Sequence, residues 1–216
     1  MRTKDQILLG LKEPGVIAVL RARSPAQIIP LGEALLAGGI GAIEVTLTTP
    51  DALRAIADAR LHFGTRALIG VGTVLDADTC QEAIDAGAEF VVSPILRPEI
   101  AKKAAEQDRP VMLGAYTPTE AQLAYEAGSD FVKIFPSDTL GPAYVRAIRA
   151  PLPHLQIIPT GIAKAGDVSE FIRAGCPAVG VGSLLVSKHT LELEDWETVT
   201  ERAHELVRIV HMARAD

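Results

Sequence analysis

The sequence predicts one α/β barrel domain spanning residues 1–216: a (β/α)8 fold with a short helix ahead of the first strand. Three observations lead there. Short runs rich in Val, Ile and Leu recur along the chain, each separated from the next by one helical pattern, as consecutive βα units require. A helix ending in Ala-Gly leads into a strand four times, at Ala37-Gly38, Ala86-Gly87, Ala127-Gly128 and Ala174-Gly175, ahead of the second, fourth, sixth and eighth strands. A repeat of two βα units is the internal symmetry of a closed eightfold barrel. No strand looks like an edge, which the open doubly wound alternative would need.

The elements follow in order. Residues 4–12 read as a short helix closed by Pro14-Gly15, and Val16–Leu20 as the first strand. Ser24 and Pro25 read as an N-cap and an N1 proline, opening a helix that Gly38-Gly39 stops. Further strands fall at Ala42–Leu47, Ala67–Val71, Phe90–Ser93, Val111–Leu113, Phe131–Phe135, Gln156–Pro159 and Ala178–Val181. Helices are predicted at 50–60, 77–86, 97–106, 118–127, 141–149 and 166–174. The last helix runs from Asp195 to Arg214, with acidic residues at its start and a stripe of Trp196, Val199, Ala203, Leu206 and Val210. No linker or low-complexity tract divides the chain.

Composition narrows the function. The content is 48 % hydrophobic and only 4 % aromatic, which suits Ala, Val, Ile and Leu packed between helices and parallel strands. The net charge of −6, without a basic cluster, argues against a nucleic-acid partner. No apolar run reaches the roughly 18 residues of a membrane span, and the N-terminus has no signal-peptide core. Cys80 and Cys176 form no CxxC and read as reduced thiols of a cytoplasmic protein. The five histidines are scattered, so no metal is expected.

Barrel active sites lie at the C-terminal ends of the strands. Arg21 ends the first strand, and the second carries Glu44 with Thr46 on the same face. Thr73 follows the third, Ser93-Pro94 end the fourth, and Tyr116-Thr117 follow the fifth. The sixth strand, Phe131–Phe135, is apolar except for Lys133 in its middle. An ammonium there is costly unless it is paired or gives up its proton, and a neutral amine attacks carbonyl carbon. Alone, Lys133 would more often be a strand-end residue reaching for water, and Glu44 with Lys133 could be a structural ion pair. Arg21 and three threonines at the same barrel end shift the reading to a polar pocket. Thr160-Gly161 and Gly182-Ser183, at the ends of strands seven and eight, can present backbone N–H groups to an anion, with residues 184–186 opening a short helix.

These motifs resemble the 2-keto-3-deoxy-6-phosphogluconate (KDPG) aldolase family. Leu20-Arg21, Ile43–Thr46, Gly70–Val74, Ser93-Pro94, Thr117–Glu120, Phe131–Pro136, Pro159–Gly161 and Val179–Ser183 fall in the family's order, and the likeness spans about residues 8–212. The resemblance implies a class I aldolase of the Entner–Doudoroff type that cleaves the phosphorylated acid to pyruvate and glyceraldehyde 3-phosphate. Lys133 would form a Schiff base with pyruvate, and Glu44 would shuttle protons. Arg21 would hold the pyruvate carboxylate, helped by Thr73 and Thr160. Pro94, Gly161, Ile162, Gly182 and Ser183 complete the implied substrate contacts. No cofactor or metal is implied; the partner is a small-molecule substrate, and the assembly a homotrimer. Two positions depart from the family pattern. Ile162 replaces a second glycine where backbone approaches phosphate, and Thr48 stands where many members carry arginine. Lys164 nearby reads as a solvated loop charge. These departures leave open an aldolase for an unphosphorylated acid such as 4-hydroxy-2-oxoglutarate. A reading from another class is a non-catalytic trimeric scaffold. The C4 configuration of the substrate is not legible.

Overall fold

A computed structural model of the chain describes residues 2–215. Helix α1, Lys4–Lys12, precedes strand β1, Val16–Leu20. Then follow α2 (Ile28–Ala37), β2 (Ala42–Thr46), α3 (Ala52–Phe63), β3 (Leu68–Gly72), α4 (Ala77–Asp85), β4 (Val91–Val92) and α5 (Pro98–Glu106). The second half comprises β5 (Val111–Ala115), α6 (Pro118–Glu126), β6 (Phe131–Ile134), α7 (Gly141–Arg149), β7 (Ile157–Pro159), α8 (Ala165–Arg173), β8 (Val179–Val181), α9 (Lys188–Leu193) and α10 (Trp196–Ala215). The strands are parallel, in the order β7-β6-β5-β4-β3-β2-β1-β8. A single bridge between Thr160 and Gly180 joins the two ends, so the barrel is closed on that side by one contact.

The expected strands and most helices are present, with boundaries shifted by a few residues. Three local expectations change. Ser24 makes no side-chain cap; Pro25–Gln27 form a 3-10 turn before α2. Residues 182–186 make one turn, closed by Val186 N–H donating to the Gly182 carbonyl at 2.9 Å, and no helix starts there. The helix comes later, as α9, capped by Ser187 accepting from Thr190 N–H; its short polar pattern gave no periodic signal. The Ala-Gly repeat is real but shifted in its first copy. Gly39, Gly87, Gly128 and Gly175 hold φ values of +90°, +105°, +90° and +87°. Each ends a helix in paired bonds such as Gly87 N–H to Ile84 O and Ala88 N–H to Ala83 O, a turn that needs a left-handed residue. Gly39, rather than Gly38, therefore matches the other three.

Two apolar layers result. One lies between strands and helices and includes Val45, Val71, Leu113, Ile134 and Val181 with the buried faces of the helices. α10 packs along α8 and α2, its stripe of Val199, Ala203, Leu206 and Val210 turned inward. The other lies inside the barrel at its N-terminal end, where Ile17, Ala42, Leu68, Phe90, Met112, Phe131, Ile158 and Ala178 pack with Ile7 and Leu11 of α1. Helix α1 is thus a plug. Its capping box, Thr3 with Gln6, starts it cleanly, and Lys4 pairs with Asp130 at 2.8 Å on the barrel floor. With the floor sealed by apolar side chains, the interior opens only towards the C-terminal ends of the strands.

Candidate active site

Side chains alternate along a strand, so the residue two beyond each floor residue faces the axis one layer higher. Phe131 is on the floor, which places Lys133 above it; Ala42 is on the floor, which places Glu44 above that. Strand register sets the neighbours. Lys133 lies between Gly114 and Ile158, and Glu44 between Val19 and Gly70. The side chains converge across the barrel, with Lys133 Nζ 3.8 Å from Glu44 Oε1, and only 6 % and 3 % of the two residues exposed. At that separation the pair attract but are not locked in a short hydrogen bond, so the amine stays available to a reacting carbonyl. Burial pushes the Glu44 carboxyl above the usual carboxylate range, and Lys133 offsets part of that rise.

Barrels fill their interior with branched side chains, yet in this layer glycine stands on three strands, at Gly70, Gly114 and Gly180, and again one layer higher at Gly72. A β-carbon at Gly72 would overlap the Glu44 carboxylate, and one at Gly114 would overlap the Pro94 carbonyl. Glycine at 72 therefore lets the Glu44 side chain rise towards the mouth, and glycine at 114 seats Pro94 over β5. The missing side chains give room to the Glu44 carboxylate and the Pro94 backbone.

Around the rim stand the remaining predicted residues. Arg21, just past β1, is exposed, and its guanidinium has no acidic partner among the described residues. Its loop is held by Ala22 N–H donating to Thr49 Oγ1, buried, at 3.1 Å. Thr73, directly after β3, has φ +32°, a left-handed value that a β-branched residue adopts only under constraint. Such strain, about 1–3 kcal/mol, concentrates at functional sites. Thr160 is 7 % exposed and faces Gly180 across the closing bridge.

The loop after β7 fixes the direction of Ile162. Its side chain is 2 % exposed and sits in the outer apolar layer, turned away from the mouth. The left-handed conformation falls on Gly161, at φ +83°, while Ile162 keeps the negative φ that suits a branched residue. The loop therefore has its glycine where the backbone needs one. The N–H groups of Gly161, Ile162 and Ser183 donate to no acceptor among the described residues. Unpaired backbone donors gathered at strand ends are what an anion requires. Thr48 is exposed and shares a hydrogen bond of 2.8 Å with Thr46. Lys164 is exposed, as a solvated charge should be.

Two further strand-end residues, Ser93 and Tyr116, differ in role. Ser93 is fully buried and its hydroxyl accepts from Ile95 N–H, so it supports the Pro94 loop from behind. Tyr116 is 42 % exposed, its hydroxyl bonded to Thr139 on the next loop. Phe135 was missed. Its ring lies 5.5 Å from Lys133 Nζ and borders Gly161, linking the amine to the anion end. The alternation Phe131, Lys133, Phe135 was the signal that placed it on the inward face. A cleft of about 610 Å³ lies instead at the barrel floor, lined by Arg2, Gln6, Arg60 and Glu89. Its charges are already spent on one another, with Glu89 held by both arginines. Among the described residues no three His, Cys, Asp or Glu side chains gather as a metal site.

Comparison with known proteins places the chain in a family. A family profile described as "Aldolase: KDPG and KHG aldolase" matches residues 7–202. A probable 2-dehydro-3-deoxy-6-phosphogalactonate aldolase of Rhizobium meliloti is 36 % identical over 182 residues, covering 84 % of this chain and 86 % of that protein. A 2-dehydro-3-deoxy-phosphogluconate aldolase of Pseudomonas aeruginosa is 31 % identical over 198 residues, covering 90 % and 88 %. Among solved structures, the KDPG aldolase of Legionella pneumophila, with pyruvate captured as a covalent carbinolamine, superposes with a TM-score of 0.84 at 29 % identity, covering 91 % of this chain and 97 % of that one.

The packing of Glu44 against Gly72 predicts that Gly72→Ala displaces the carboxylate from Lys133. We expect turnover to fall about 100-fold, the scale of an ångström-sized misplacement, with the thermal melt still cooperative. Unchanged turnover in Gly72→Ala would show that Glu44 does not act from this position.

Proposed function

The chain belongs to the KDPG and KHG aldolase family, and on that premise we propose that it is a class I aldolase cleaving a 2-keto-3-deoxy-6-phospho sugar acid, with Lys133 as nucleophile. The observation that carries this reading is the buried Lys133–Glu44 pair at the one open end of the barrel. The amine adds to the C2 carbonyl to give a carbinolamine, which loses water to an iminium. A base removes the C4 hydroxyl proton, the C3–C4 bond breaks towards the iminium, and the aldehyde departs. The enamine left behind takes a proton at C3, and hydrolysis frees pyruvate and the lysine. Glu44 is the group we assign to each proton transfer, because burial raises its carboxyl above the ordinary carboxylate range and so favours exchange of the proton. Arg21, with no acidic partner among the described residues, is the group for the substrate carboxylate, and Thr73 and Thr160 flank it. Pro94 forms a wall. The free N–H groups of Gly161, Ile162 and Ser183, with Gly182 beside them, suit the phosphate.

The outward-turned, buried side chain of Ile162 leaves its backbone N–H clear, which supports the phosphorylated substrate over 4-hydroxy-2-oxoglutarate, and the complete site weighs against an idle scaffold. A second reading concerns C4: the 36 % identical relative from Rhizobium meliloti is named for the galactonate-type acid, and that configuration stands beside the gluconate type. The resemblance further supports a homotrimer of single-domain chains, and the two free buried thiols suit a reducing cytoplasm.

Borohydride reduction in the presence of pyruvate should attach a three-carbon adduct to Lys133, found by peptide mass analysis, and turnover should prefer phosphorylated acids over 4-hydroxy-2-oxoglutarate. No adduct on that peptide would end the Schiff-base reading. The acid limb of kcat/KM should lie above the ordinary carboxylate pKa of about 4.3, because burial disfavours the Glu44 anion; Glu44→Gln should remove that limb and cost about 10²–10⁴ in kcat. Light scattering should return the mass of three chains, and a monomer mass would rule the trimer out.

A further inference from the structure

The segment that follows Lys133 grips Thr160 from both sides. Thr160 N–H donates to the Ile134 carbonyl at 2.9 Å. Thr160 C=O accepts two hydrogen bonds from one residue, Ser137: its N–H at 2.9 Å and its hydroxyl at 2.8 Å. Ser137 is fully buried, and its own carbonyl receives the Leu140 and Gly141 N–H groups at the start of α7. It reaches the rim only through the Thr160 carbonyl, and no step of the aldol chemistry uses it.

The consequence follows from the planarity of the peptide. The Thr160–Gly161 bond is trans, so its C=O and N–H point in opposite directions. Turning the carbonyl towards Ser137 turns the Gly161 N–H away from it, and that N–H has no acceptor among the described residues. Gly161, at φ +83° and without a β-carbon, offers little resistance to rotation of this plane. On the far side β8 holds this peptide through the Thr160–Gly180 bridge, which leaves the Gly161 N–H without a bond of full hydrogen-bond geometry. Ser137 holds its orientation from the other side, through the carbonyl.

We propose that Ser137 is a positioning residue that fixes the Thr160–Gly161 peptide so that the Gly161 N–H is presented to the anionic tail of the substrate. This rests on the reading of the rim as a phosphate site. The role belongs to the hydroxyl, because the backbone N–H alone leaves the carbonyl one hydrogen bond and freedom to swing.

Steady-state kinetics of the wild type, Ser137→Ala and Ser137→Thr test it, with the 6-phosphorylated keto-deoxy acid, its unphosphorylated counterpart and inorganic phosphate as inhibitor. Ser137→Ala should raise KM for the phosphorylated acid and Ki for phosphate about five- to tenfold, the scale of one hydrogen bond. Its kcat, its kcat/KM for the unphosphorylated acid and its borohydride trapping of pyruvate should stay within about twofold of wild type. Ser137→Thr, which keeps the hydroxyl, should restore KM. Should the alanine variant not fold, Ser137→Cys, with only a weak S–H donor, carries the same expectation. If the wild type neither prefers the phosphorylated acid nor is inhibited by phosphate, the anion-site reading fails and takes this inference with it. If the wild type does both, but Ser137→Ala matches it or loses kcat on both acids alike, the role of Ser137 alone is overturned.

Discussion

Two opposite charges held 3.8 Å apart inside a barrel, Lys133 Nζ and Glu44 Oε1, set the terms for the rest of the structure. Taking either out of water alone costs several kcal/mol, and removing one partner of a buried pair typically costs about 3–5 kcal/mol. The pair therefore gains little for stability, and an apolar layer would serve the fold as well. What the arrangement yields is chemistry: a carboxyl raised by burial beside an amine not tied up in a short hydrogen bond. The barrel meets the cost by surrounding the pair with a rigid wall and leaving it one exit.

That exit is made by subtraction. The floor is filled by one inward residue per strand together with the plug of α1. One layer up, Gly70, Gly114 and Gly180, and one layer higher Gly72, stand where branched residues would fill the axis, and the space they leave is taken by the Phe90, Glu44 and Thr160 side chains and the Pro94 backbone. The large side chains of one strand are thus accommodated by the missing side chains of its neighbour. The site and the core are a single packing solution, read at two heights.

The rim is built differently, by loops pinned to loops. Ala22 is tied to Thr49, Thr160 to Ile134 and Ser137, and Tyr116 to Thr139. Gln27 bonds Leu191 and Glu194, joining the loop that carries Arg21 to the segment beyond Ser183. Loops carry function when a scaffold holds them, and here neighbouring loops share the holding. These contacts join residues far apart in the chain, and they leave Arg21 without an acidic partner among the described residues.

The sequence by itself determined the barrel and its contents. Spacing of apolar runs, the Ala-Gly helix ends and period-two alternation suffice to place Lys133 and Glu44 inward and Arg21, Thr73 and Thr160 at one end, because those signals are local and repeat. Alternation also marked Phe135, although the residue reads as ordinary apolar filling until Lys133 is known to lie beside it. Helix α9 and the turn at 182–186 escaped because neither is long enough to show a period. Only the tertiary structure decided which way Ile162 faces and which glycine carries the turn. A loop residue has no strand or helix phase to fix its direction, so the outer apolar layer that receives Ile162, and the Ser137 hydroxyl that holds the peptide before it, had to be in place before the rim could be read.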